Sequence, residues 1–170
     1  MRVSKLPFIA MLLMMLAPTM VWAETAPHYS LIIGYNDSTD PALNPLRYAD
    51  DDAIRYHELF DVVASETTLL TTLDEETRRL YPQLEAAPPT RANVMKAIGE
   101  IGRAIQADVK RGVRPTFSFV FSGHGSYDED GSGFLYLADG TFTTRDLYGE
   151  VIAPNTDSQI VLVIDACNAA

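Results

Sequence analysis

The chain has 170 residues, 47% of them apolar and 21% charged, with ten Gly and ten Pro. That is enough for one globular domain with a buried core, and it excludes a disordered tail, a collagen-like repeat and a disulfide miniprotein. The formal charge of −10 becomes −12 once residues 1–23 are removed, because Arg2 and Lys5 leave with them and no acid does. This balance argues against nucleic acid or an anionic membrane surface as a partner.

Residues 1–23 read as a cleavable secretory signal. Arg2 and Lys5 form a basic start, Phe8 to Leu16 an apolar stretch, and Val21-Trp22-Ala23 a small-x-small-like cleavage site. The apolar run between Pro7 and Pro18 is shorter than the ~20 residues a spanning helix needs. The expected mature chain therefore starts at Glu24, has no membrane span, and is secreted or periplasmic. No cysteine follows the apolar stretch to accept a lipid anchor.

In chain order, Tyr29 to Gly34 is a short continuous apolar run closed by Gly34, Asn36 and Asp37, the pattern of a strand buried on both faces. From Tyr48 to Ala64 the positions Ala49, Ala53, Tyr56, Phe60 and Val63 recur at helical spacing, with Asp50, Asp51 and Asp52 in the first turn. Thr67 to Leu73 predicts a second strand, and the polar, proline-bearing stretch 74–89 a long exposed connection. Thr90 caps a predicted helix in which Val94, Ile98, Ile101 and Ile105 form one stripe, ended by Gly112 and Pro115. Thr116 to Ser122 predicts a third strand. Phe134 to Thr144 predicts a hairpin turning at Asp139-Gly140, Thr144 a cap for a short helix through Ile152, and Gln159 to Ile164 a fourth strand.

This alternation predicts an α/β fold with a mostly parallel sheet and helices on both faces. Functional groups of such sheets gather beyond the carboxyl ends of the strands. The third strand ends in Ser122-Gly123-His124-Gly125 and the fourth in Asp165-Ala166-Cys167. As parallel neighbours they would present His124 and Cys167 at one edge. Cys167 is the single cysteine, so it cannot form an intramolecular disulfide; an inert buried thiol is the ordinary reading of a lone cysteine. A cysteine at a strand end with a histidine to govern protons and N–H donors for an oxyanion is instead a nucleophile for acyl transfer. Gly125 and Cys167 supply the candidate N–H donors, and Gly123 the tight turn.

Residues 117–125, Phe-Ser-Phe-Val-Phe-Ser-Gly-His-Gly, and 160–167, Ile-Val-Leu-Val-Ile-Asp-Ala-Cys, resemble the two catalytic blocks of caspase-like cysteine peptidases, above all metacaspases and paracaspases. The resemblance extends to the first strand and to Leu46 through Ala53, similar to the start of the family's first helix. It implies a caspase-like three-layer fold over 24–170. It further implies a cysteine endopeptidase with Cys167 as nucleophile, His124 as general acid and base, and Gly125 in the oxyanion hole. Asp52 and Asp165 are implied as the lining of a pocket for Arg or Lys at P1, the substrate residue before the cleaved bond. Two carboxylates in a partly desolvated pocket fit a cation and penalise an acid. Arg47, the basic residue near the first block, is equally well read as an ion-pair partner on the surface. Asn168, Ala169 and Ala170 depart from the family pattern. The family's further strands do not follow Cys167, so a truncated p20-like domain awaiting a p10-like partner is expected. A catalytically silent interaction module is the alternative expectation.

No cofactor is required by this chemistry. Asp128, Asp130, Ser132 and Asp139 match the oxygen spacing of a calcium loop, yet the flanking helices of an EF-hand are missing from the pattern, so a solvated acidic loop is expected there. Calcium dependence occurs among metacaspases, and the resemblance leaves calcium activation open. His28 and His57 have no partners at metal-ligand spacing and read as surface or helix residues.

Overall fold

In a strand, successive side chains point to opposite faces, and in β1 (His28–Tyr35) both sets are apolar. Leu31 and Ile33 point one way and Ile32 the other, none more than 1% exposed. The computed structural model describes residues 26–166; the predicted signal and Cys167 lie outside the described residues. β1 sits inside a parallel sheet of order β2-β1-β3-β7, with β2 at Glu66–Thr71, β3 at Thr116–Gly123 and β7 at Gln159–Ala166.

The two faces are built differently. On one, Leu31, Ile33, Phe117, Phe119 and Phe121 pack against the stripe Val94, Ile98, Ile101 and Ile105 of α3 (Arg91–Lys110). Burial of each such phenylalanine is worth about 2–3 kcal/mol. On the other, Ile32 and Val120 meet Ala53 of α1 (Ala49–Asp61), flanked by Tyr56, Phe60 and Val163. The contact is close: a Cβ on Gly34 would lie 2.4 Å from both the Ala49 carbonyl oxygen and the Ala53 Cβ. The crossover from β1 to β2 runs one way along the sheet and that from β2 to β3 runs back. With both right-handed, α1 and α3 belong on opposite faces. The architecture is thus α/β in three layers around a mainly parallel sheet.

Several expectations need correction. Stretch 74–89 is not an unbroken connection: it holds α2 (Glu75–Leu80), capped by the Asp74 side chain accepting from the Thr77 N–H, and a bridge between Leu70 and Ala87. The first helix ends at Asp61, so Val63 is exposed and not part of its buried face. β4 (Gly125–Tyr127), β5 (Gly133–Leu137) and β6 (Gly140–Thr143) form a separate antiparallel sheet. Its hairpin turns at Ala138-Asp139, since Leu137 pairs with Gly140. Thr143, not Thr144, caps the next helix, in a capping box with Asp146. That helix, α4 (Thr144–Asp146), runs on into a π-helical turn at Leu147–Ile152. His28 lies within β1, half-buried, with Nε2 2.8 Å from the Ser118 hydroxyl, and desolvation lowers its pKa. Among the described residues no helix is long and apolar enough to cross a membrane.

Candidate functional site

β3 and β7 are adjacent and in register to their carboxyl ends, with Ser122 opposite Asp165 and Gly123 opposite Ala166. His124 is the next residue on the first strand. Cys167, one peptide bond beyond Ala166, lies outside the described residues. Gly123 is the last paired residue of β3 and stands where no side chain fits: a Cβ there would come within 2.9 Å of the Tyr35 carbonyl oxygen and the Phe121 ring.

The His124 ring has two contacts and its backbone a third. Its Nε2 lies 3.0 Å from the backbone carbonyl oxygen of Asn44, its ring meets Tyr136 edge-on at 6.4 Å, and its own carbonyl accepts from the Tyr136 N–H at 3.0 Å. A carbonyl only accepts, so Nε2 carries the proton and Nδ1 is the free base of the neutral ring. Asn44 acts through its main chain, and no residue type in the sequence marks such a role.

The same ladder bond settles the direction of another group. Because the Tyr136 N–H donates to the His124 carbonyl, Gly125 and Leu135 form a non-hydrogen-bonded antiparallel pair. The Gly125 N–H therefore points away from β5.

Asp52, in the first turn of α1, and Asp165, at the end of β7, line one cavity of about 260 Å³ with Arg55, Tyr56 and Leu59. Asp52 is half-buried and 3.8 Å from the Arg55 guanidinium, while Asp165 is exposed with no ion pair among the described residues. Arg47 is exposed, in neither this cavity nor an ion pair among the described residues.

One buried carboxylate was legible only as a helix-start acid. Asp50 is fully buried and accepts from the Asn36 side-chain amide at 2.7 Å, the Asp51 N–H at 3.0 Å and the Asp74 N–H at 2.9 Å. Asn36 returns the contact by accepting from the Ala49 N–H at 2.8 Å. These bonds clamp the end of β1, the start of α1 and the start of α2, and so fix where Asp52 stands.

The acidic loop is turned on itself. The Asp128 carboxylate accepts from the Asp130 and Ser132 N–H groups, and Asp139 accepts from the Arg91 N–H at 2.7 Å. No cluster of three or more His, Cys, Asp or Glu side chains able to hold a metal occurs among the described residues.

What comes together at the carboxyl edge is a histidine base with a fixed tautomer, an outward N–H and an acidic cavity. No protein-family model matches the sequence, and a search of curated proteins returns no match.

Proposed function

We propose that the chain is an exported caspase-like cysteine endopeptidase of metacaspase type, its described part corresponding to the p20 half of that fold. The observation that carries the reading is the register of β3 and β7, which aligns Gly123 with Ala166 and so brings the strand leading to His124 beside the strand leading to Cys167. The shared cavity of Asp52 and Asp165 supports cleavage after Arg or Lys.

In this reading the Cys167 thiol gives its proton to Nδ1 of His124 and the sulfur attacks the scissile carbonyl carbon. The Gly125 N–H, with that of Cys167, receives the oxyanion. The C–N bond breaks as His124 returns the proton to the leaving amine, and a thioester remains. Water then attacks it with His124 as base, releasing the carboxylate product and the thiol. No cofactor enters these steps; calcium would act on activation and not on bond cleavage.

β7 supports a p10-like partner segment. Among the described residues it is an edge strand of a parallel sheet, yet in its run Ile160 to Ile164 no residue is fully buried, Leu162 is 40% exposed, and Ile164 borders an apolar cavity of about 320 Å³. The same edge favours a second reading, a catalytically silent module that binds a protein through β7.

Hydrolysis of matched fluorogenic peptides with Arg, Lys or Asp at P1, with and without calcium, tests the reading. The expected result is cleavage after Arg or Lys that is lost in Cys167→Ala, with the variant's melting temperature unchanged. Turnover retained by Cys167→Ala ends the nucleophile assignment. Silence of the wild-type protein on every peptide favours the binding module.

A further inference from the structure

The cavity shared by Asp52 and Asp165 is lined by a basic side chain as well. Arg55 lies one helical turn beyond Asp52 on α1, its Nη1 is 3.8 Å from the Asp52 Oδ1, and its side chain is 74% exposed. Tyr56 and Leu59 furnish the apolar wall, and Asp165 faces the cavity from the sheet with no ion-pair partner among the described residues. A cationic guest therefore meets two unlike carboxylates: Asp165 has no ion-pair partner among the described residues, and Asp52 faces Arg55, whose exposed side chain can swing into solvent.

We propose that Arg55 is a specificity-determining residue, a resident counter-ion that an incoming basic side chain displaces from Asp52. The proposal rests on the reading of this cavity as the P1 pocket. Binding a P1 cation then exchanges one ion pair for another at Asp52 and forms a new one at Asp165. A neutral guest displaces nothing and leaves the Asp52–Arg55 pair in place. Because Arg55 is so exposed, the competition is weak: exposed pairs of this kind shift an equilibrium about two- to five-fold.

The test compares wild type, Arg55→Gln and Arg55→Lys on peptides carrying P1 arginine or its neutral isostere citrulline, at low and high salt. Arg55→Gln is expected to lower KM for P1 arginine about two- to five-fold with kcat unchanged, and to leave citrulline unaffected. Salt diminishes the difference by screening the displaced pair. Arg55→Lys keeps the charge and the wild-type KM. An unchanged KM in Arg55→Gln, or an equal fall for citrulline, overturns the proposal while leaving peptidase activity intact.

A second measurement does not depend on turnover. Benzamidine is titrated into the Cys167→Ala protein with and without Arg55→Gln, followed by the amide shifts of Asp52 and Asp165. Tighter binding in the double variant supports the resident counter-ion. Equal affinity, or no binding to either protein, overturns it, even if wild type cleaves none of the peptides and the peptidase reading has failed on its own test.

Discussion

The Nε2 atom of His124 lies 3.0 Å from the main-chain carbonyl oxygen of Asn44, eighty residues away in the chain. A loop between β1 and α1 thereby fixes the tautomer of a ring at the end of β3. On the proposed peptidase reading, Asn44→Ala is expected to keep turnover within about two-fold, since the contact uses backbone, whereas His124→Ala would remove the proton carrier and cost about 10²–10⁴-fold in kcat. Long-range ¹⁵N NMR of the neutral His124 ring is expected to report Nε2–H. The opposite tautomer, or an active His124→Ala protein, contradicts the assignment of His124 as the base.

Gly34 is the point where α1 touches the sheet. Its missing Cβ would lie 2.4 Å from a backbone oxygen of α1 and from the Ala53 Cβ, and neither belongs to a side chain able to swing away. Gly34→Ala should therefore destabilise by about 2–3 kcal/mol. Gly149, with open space around its Cβ position, is the control, and Gly149→Ala should change stability by less than about 0.5 kcal/mol. Urea denaturation of the two variants measures the contrast.

How far the sequence carries depends on whether a signal is periodic. The α3 stripe Val94, Ile98, Ile101 and Ile105 is legible because each member is buried at helical spacing against the phenylalanines of β3. The strands are legible because β1 and β3 are buried on both faces and read as continuous apolar runs. α2 is not, since six residues are too few to show a period, and it is held by the Asp74 cap and the Asp74 N–H bond to Asp50. β4 is three residues, Gly-Ser-Tyr, whose pairing is set by β5. The hairpin turn moves one residue back from Asp139-Gly140 because Gly140 is already paired with Leu137, and Asp139 is drawn to the α3 N-terminus. In the candidate site, Asp52 and Asp165 are visible as residue types, while the Asn44 carbonyl and the burial of Asp50 depend on tertiary contacts that no local pattern encodes.

Asp50 tests that hidden layer. Asp50→Ala leaves the buried Asn36 amide and the part-buried Asp51 and Asp74 N–H groups without their acceptor, an expected loss of about 3 kcal/mol. Asp50→Asn keeps the shape and one acceptor oxygen and should cost less. Because the clamp sets the start of α1, and with it Asp52, the proposed peptidase reading predicts that the milder variant raises KM for basic peptides more than it lowers kcat. Stability equal to wild type in Asp50→Ala would show that the clamp contributes nothing.

Asp146 sets a pH dependence whose sign follows from its partners. The Arg91 guanidinium at 2.6 Å, then the N–H and hydroxyl of Thr143, hold its carboxyl well below the usual carboxylate range. In the unfolded chain it returns to about 3.9. A carboxyl depressed by folding contributes stability that is complete above the unfolded value and is lost as pH falls from there toward the folded one. At neutral pH the pair therefore ties α3 to α4 in full, for about 1 kcal/mol given that the Arg91 side chain is 43% exposed. Asp146→Asn should lower the melting temperature at pH 7, with the gap to wild type narrowing steadily below about pH 4. Salt should shrink the gap at pH 7 for the same reason that exposure limits it. A gap that is constant from pH 7 to pH 2.5 would mean that the capping geometry, and not the charge, carries the effect.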